Sequence, residues 1–178
     1  TAGSVEVVRW AKARGIRVTA EVTPHHLLLT EQLVADASDP YLPRYDARFK
    51  VNPPLRRDED VHALRAALAD GTIDIVATDH APHPIETKEC AWQEASFGMV
   101  GLESALSVVQ ASMVDTGLLE WTDVARVMSR VPAEIGRLEG YDTPFELGSP
   151  AHLTLVDPTA RSVFGPDSLR GKGVNSPY

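Results

Sequence analysis

Ile73-Asp74-Ile75-Val76-Ala77-Thr78-Asp79-His80-Ala81-Pro82-His83 is the stretch whose reading decides the fold. Its apolar run, interrupted only by Asp74, has the composition of a buried parallel strand, and it stops abruptly at Thr78, Asp79 and His80. In α/β barrels and open α/β sheets the reacting groups sit at the carboxyl ends of strands, where the strand holds the first residue and the loops vary. Asp79 occupies that position. A carboxylate there can ligate a metal and exchange a proton, and His80 and His83 can ligate, donate or accept near neutral pH. The ordinary alternative is that Asp79 caps the following turn and both histidines are loop residues.

Moving upstream, residues 16–22 alternate apolar and polar and read as a second strand, which ends in Thr23-Pro24-His25-His26. His25 and His26 either face a site or cap the turn and pack on Leu27 to Leu29. Before this strand, Val5, Val8, Trp10 and Ala11 fall at helical spacing over residues 4–14, with Ser4 as N-cap and Gly15 as terminator. After it, Thr30 is expected to cap a short helix over 31–35, and residues 36–49 form a long irregular loop of the kind that is functional or mobile. In Lys50-Val51-Asn52-Pro53-Pro54-Leu55 the two prolines hold Asn52 extended. Its amide, with a donor and an acceptor, suits a substrate with amide or imide edges, although a plain turn is the simpler use of Asn-Pro. Residues 58–70 then predict an amphipathic helix with acids in its first turn and Gly71 at its end. Helix, strand, helix, strand is the rhythm of a parallel βα protein.

Downstream, residues 84–98 read as a loop over the strand ends, with Gly98 free to let backbone approach a ligand. Leu102, Ala105, Leu106, Val109 and Met113 define a further helix ended by Gly117. Thr122 is expected to cap the next, and Pro132 to open a final short helix reaching Leu138. Residues 140–148 are loop-like, and residues 152–156 predict a strand of a small separate β element, with His152 structural. The expected division is therefore 1–139 for the βα layer and 140–178 for the start of that β element.

With 178 residues, 43% hydrophobic and 24% charged, the chain can bury a core. A net charge of -8 without a basic run argues against a nucleic-acid or anionic-membrane partner. Cys90 is the single cysteine, so neither an internal disulfide nor a thiolate metal cluster can form, and a reducing, cytoplasmic setting fits. No stretch is long and apolar enough for a membrane span, and no signal peptide is recognisable. The chain is expected to be a piece of a longer protein.

Taken together, Glu21-Val22-Thr23-Pro24-His25-His26-Leu27, Lys50-Val51-Asn52-Pro53-Pro54-Leu55-Arg56, Ala77-Thr78-Asp79-His80-Ala81-Pro82-His83, Phe97-Gly98 with Gly101-Leu102-Glu103, and Gly148-Ser149-Pro150-Ala151-His152-Leu153-Thr154-Leu155 resemble, in family order, the C-terminal part of class I dihydroorotases. These are members of the amidohydrolase superfamily. The resemblance implies an α/β fold, the last two strands and helices of a metal-dependent (β/α)8 TIM barrel followed by part of a small β domain. It implies that Asp79 is both metal ligand and proton shuttle, and that Asn52, His83, Phe97 and Gly98 bind substrate. The residues alone leave His80 and His83 undecided; the family pattern favours His83.

The resemblance also implies a cofactor of one or two zinc ions, most of whose ligands, the family's His-x-His among them, are not in this chain. The implied reaction of the complete protein is the interconversion of N-carbamoyl-L-aspartate and L-dihydroorotate in pyrimidine biosynthesis, with these small molecules as substrates. Its implied assembly is a homo-oligomer or a complex with another pyrimidine-pathway enzyme. Two alternatives are a hydantoinase- or allantoinase-type amidohydrolase and a non-catalytic dihydroorotase-like partner of another pyrimidine enzyme. This chain alone is expected to be inactive.

Overall fold

The computed structural model describes residues 1–35, 45–141, 146–165 and 167–178, so most of the expected loop over 36–49 lies outside the described residues. At the centre two short strands, β1 (Glu21–Val22) and β2 (Ile75–Val76), run parallel, with Glu21 opposite Ile75 and Val22 opposite Val76. Backbone bonds carry the register past both ends: Asp74 N donates to Ala20 O at 2.9 Å and Ala77 N to Val22 O at 3.0 Å. The ladder is shorter than the strands expected over 16–22 and 73–78, because only these residues face a partner strand among those described. Parallel neighbours need a long crossover, and the chain between them supplies it with α2 (Asp58–Ala69).

Val22 and Val76 are buried in one apolar cluster with Val5 of α1 (Ala2–Ala13), Leu27, and Ala67 and Leu68 of α2. Val109, Met113, Val124 and Val127 from the later helices complete it. These later helices are α3 (Ala105–Val109), α4 (Trp121–Ala125) and α5 (Val131–Gly136). Wider π-type turns over Gln110–Val114 and Arg126–Arg130 continue α3 and join α4 to α5. A smaller cluster, Leu29, Val51, Leu55 and Met99, fastens the Asn52 segment to the loop that follows residue 96. No helix among the described residues is long and apolar enough to cross a membrane.

Several local expectations are corrected. Helix α1 begins earlier than residue 4: Thr1 is its N-cap, its hydroxyl accepting from Ser4 N at 3.2 Å, and Trp10 is 52% exposed beneath the Arg14 guanidinium rather than part of a buried stripe. Thr30 makes no side-chain cap, because its segment is held by a parallel bridge to Arg56, with Glu31 N donating to Arg56 O. Leu102 is outside α3 and exposed, since its amide is drawn to the His80 ring. At α4 the Asp123 carboxylate reaches back to Glu120 N at 3.1 Å, so Glu120 rather than Thr122 is the cap. The final helix stops at Gly136, with Arg137 left-handed at φ 54°. Residues 152–156 are in no ladder among the described residues: Leu153 and Leu155 are exposed, and His152 stacks on Tyr141.

Asp74, the polar interruption in the apolar run, is accounted for by its bonds. Its Oδ2 accepts from Ala20 N at 2.8 Å and its Oδ1 binds the Lys12 ammonium at 2.7 Å, so one half-buried carboxylate joins α1, the approach to β1 and the approach to β2. Asp74→Ala removes a charge-assisted acceptor from a backbone amide and is expected to cost about 1–3 kcal/mol of stability. Chemical denaturation of the complete protein checks this; a change within error would remove Asp74 from the framework.

Candidate active site

The expected site residues gather at the carboxyl end of the parallel pair. Asp79 follows β2 at φ 49°, a left-handed conformation that turns the chain sharply and leaves the residue exposed. Its carboxylate makes no hydrogen bond to any described residue. Beyond it the chain runs beside the 97–101 segment: His80 bridges Met99, Ala81 N donates to Met99 O at 2.9 Å, and His83 Nε2 donates to Phe97 O at 2.8 Å. His83 Nδ1 has no partner among the described residues and is free for a ligand. Asn52 is exposed before a cis Asn52–Pro53 bond. Its neighbour Lys50 accepts from Gly98 N at 2.9 Å, which ties the Asn52 segment to the same loop.

Gly98 is needed at φ 119° where the two segments touch: a Cβ there would lie 2.5 Å from Ala81 Cβ and 3.4 Å from His83 Nε2. Both backbone groups of Gly98 are engaged internally, its N–H by Lys50 O and its carbonyl by Lys88 Nζ and the Asn175 amide. Phe97 is 56% exposed and turns its ring to the Lys50 ammonium, 4.6 Å from the centroid.

The other histidines have separate tasks. His26 is buried; its Nε2 donates to Pro53 O at 3.0 Å and its Nδ1 accepts from the Thr23 hydroxyl at 2.7 Å, which fixes the tautomer. Burial pushes its pKa down, opposed by the carbonyls of Pro53 and Pro54 and by the charge of Asp79. His25 is 1% exposed with Nε2 unpartnered, and burial and the His26 ring hold its pKa down at about 3, so it is a neutral core side chain near neutrality. His80 Nδ1 accepts from Gly101 N at 3.1 Å and Leu102 N at 3.3 Å, which shapes the loop; its Nε2, like His83 Nδ1, has no partner among the described residues.

Two residues that sequence reasoning missed are the buried lysines of this loop. Lys50 Nζ donates to the carbonyls of Trp92, Gln93 and Ala95, and Lys88 Nζ to those of Ser96 and Gly98, both at 2.8 Å. No sequence signal distinguishes them, because lysine in a polar loop reads as solvated. A cleft of about 510 Å³ opens among Phe49, Lys50, Val51, Leu55, Trp92 and Phe97. Asp79 is not part of its wall, so the hydrogen-bonded strand-end turn, and not this cleft, defines the candidate site.

Among the described residues no group of three or more His, Cys, Asp or Glu side chains could hold a metal ion. Asp79 fits a single position in a divalent-metal site, as an exposed carboxylate with its oxygens unclaimed; the two or three further protein ligands such a site needs would have to come from outside the described residues.

No family model matches the chain. Proteins named dihydroorotase are similar throughout: that of Leifsonia xyli is 70% identical over 178 residues, all of this chain and 39% of that protein. That of Streptomyces coelicolor is 61% identical, over all of this chain and 40% of its own. The solved L-hydantoinase (dihydropyrimidinase) of Arthrobacter aurescens superposes with a TM-score of 0.70 at 31% identity, over 84% of this chain and 32% of that one. The α/β arrangement is thus that of part of an amidohydrolase TIM barrel, a family of metal-dependent hydrolases. Throughout its length the chain is similar to proteins named dihydroorotase, and it spans about 40% of the length of the relatives it matches.

Burial and the neighbouring Lys50 charge lower the Lys88 pKa from its ordinary 10.5 to about 8. Because the folded value is the depressed one, the unfolded chain holds more protons between these two pH values, and stability should rise with pH across that window. A neutral amine still has two N–H groups for its two carbonyls, so the loop keeps its bonds. Denaturation midpoints of the complete protein at pH 7.5 and 9.5 are expected to show this increment, and Lys88→Arg, charged throughout, to abolish it.

Proposed function

We propose that the complete protein is a cytoplasmic dihydroorotase that interconverts N-carbamoyl-L-aspartate and L-dihydroorotate in pyrimidine biosynthesis. The observation that carries this reading is the exposed, unclaimed Asp79 carboxylate at the end of β2 beside His83 and the Phe97–Gly98 loop, in a chain 70% identical to a protein named dihydroorotase. In this reading the metal is zinc, and Asp79 would supply one carboxylate ligand to it. A zinc site completed elsewhere in the protein would supply Lewis acidity, polarising the ring carbonyl and acidifying the attacking water.

Asp79 takes the proton of that water and delivers it to the departing ring nitrogen as the C–N bond breaks; ring closure reverses these steps. His83, through its free Nδ1, and the Asn52 amide orient the substrate's carboxylate and amide edges, and the Phe97–Gly98 segment forms the facing wall. Because Gly98 already spends its N–H on Lys50 O, its share is to bring the two backbones close; Phe97 brings the ring at the rim. Residues 140–178 are read as the start of a small β domain appended to the barrel part, 1–139. Assembly as a homo-oligomer or with another enzyme of the pathway belongs to the same reading.

Ring opening of dihydroorotate by the complete protein with zinc supplied tests the proposal. Asp79→Asn is expected to abolish turnover, and His83→Ala to raise KM about tenfold or more. Equal activity in both variants would sink the role assignment. Preference for hydantoin or a dihydropyrimidine over dihydroorotate would favour the hydantoinase reading, which the superposition on the Arthrobacter enzyme supports at 31% identity. A folded wild-type protein inert towards all three would favour the non-catalytic partner.

A further inference from the structure

Asn175 lies far along the chain from every residue assigned above, yet its side chain is 4% exposed and sits across the two segments that form the site. Its Oδ1 accepts from His83 N at 3.0 Å, and its Nδ2 donates to Ala81 O at 2.9 Å and Gly98 O at 3.3 Å. The amide orientation follows from these partners: the acceptor end faces an N–H and the donor end faces two carbonyls, so a flipped amide would satisfy none of them. The backbone of Asn175 adds to the same joint, its carbonyl accepting from Val100 N at 3.2 Å.

Two further features hold this strap in place. A Cβ on Gly173 would lie 2.6 Å from Pro82 Cβ and 2.9 Å from Pro82 Cα, so the strap rests directly on the turn between Asp79 and His83. Ser176 is buried with Asn175, and Tyr178 packs on the Leu29, Val51, Leu55 and Met99 cluster. The Asn175 amide is therefore presented from a fastened segment.

We propose that Asn175 is a positioning residue for substrate: through one buried amide it sets the separation between His83 and the Phe97–Gly98 backbone, the two walls that grip the substrate. It touches neither substrate nor metal. Direct contacts between the walls, Ala81 N to Met99 O and His83 Nε2 to Phe97 O, bring them together, and Asn175 fixes how far His83 N and Gly98 O stand apart. The bond to Gly98 O is shared with Lys88 Nζ, so the loop side of the joint is held by a buried cation as well. Losing the amide should loosen substrate grip while leaving Asp79, on the exposed side of the turn, able to do its chemistry.

This inference rests on the dihydroorotase reading, and the test separates the two. In the complete zinc-loaded protein, Asn175→Ala and Asn175→Asp are each compared with wild type for KM, kcat and bound metal. Asn175→Asp keeps the shape and the acceptor for His83 N but replaces the donors that face two carbonyls. Asp74→Ala serves as a destabilised control remote from the site. The expected result is a KM for dihydroorotate raised about tenfold or more in both Asn175 variants, with kcat within a few-fold, full metal content, and unchanged KM in the control. Wild-type KM in either folded variant overturns the proposal. So does a parallel loss of kcat and bound metal, or failure of both variants to fold, each of which would make Asn175 a structural residue only. A wild-type protein inactive on dihydroorotate would instead overturn the functional reading on which the proposal rests.

Discussion

The structure depends on one short parallel pairing, Val22 beside Val76, whose side chains are buried together under helices from both ends of the chain. A parallel pair cannot be closed by a tight turn, so burying those two valines obliges the chain to travel out through α2 and back. The same geometry points both strand ends in one direction. His25 and His26 leave β1, and Asp79, His80 and His83 leave β2, so polar groups distant in sequence arrive at one end of the sheet. Asp74 holds the opposite end of β2 to α1 and to Ala20, which is why a carboxylate interrupts an otherwise apolar run.

The loop facing those strand ends is organised by a second constraint. A segment without helix or strand must still find donors for its carbonyls, and here two buried ammonium groups supply them. Lys50 and Lys88 gather the carbonyls of Trp92, Gln93, Ala95, Ser96 and Gly98, while Lys50 also stands beneath the Phe97 ring. Neither cation has a carboxylate partner in these bonds; oriented peptide dipoles do that work at lower desolvation cost than an ion pair would require. Gly98 then completes the fit, its missing side chain allowing the loop to lie against Ala81. Asn175 closes the arrangement from the far end of the chain.

Much of this was legible before any coordinates. An apolar run ending in Thr78-Asp79-His80 announces a strand-end site, and the acids and glycine around α2 announce its ends, because both signals are local and their physics acts within a few residues. The family motifs are local too, and the similarity to dihydroorotases over the whole chain agrees with them. What failed were signals that compete at short range. Thr1, Ser4 and Thr122 are acceptable caps by composition and Glu120 is not, yet backbone and side-chain geometry chose Thr1 and Glu120. The strand expected over 152–156 had the right alternation, but a ladder needs a partner, and among the described residues there is none.

The sequence by itself determined the alternation of elements, the turn that carries Asp79 and the segments that hold Asn52, His83, Phe97 and Gly98. It did so because periodicity, proline, glycine and charge act on the backbone nearby. Only the tertiary structure decided what each polar group is spent on. His83 spends Nε2 on Phe97 O and His80 spends Nδ1 on two backbone amides, each keeping its other nitrogen; His25 is neutral because it is buried; and Lys50, Lys88 and Asn175 are internal because loops far apart in sequence close over them. Burial and hydrogen-bond partnership are properties of contacts across the fold, and the chain must be folded before an amide at position 175 can measure the distance between residues 83 and 98.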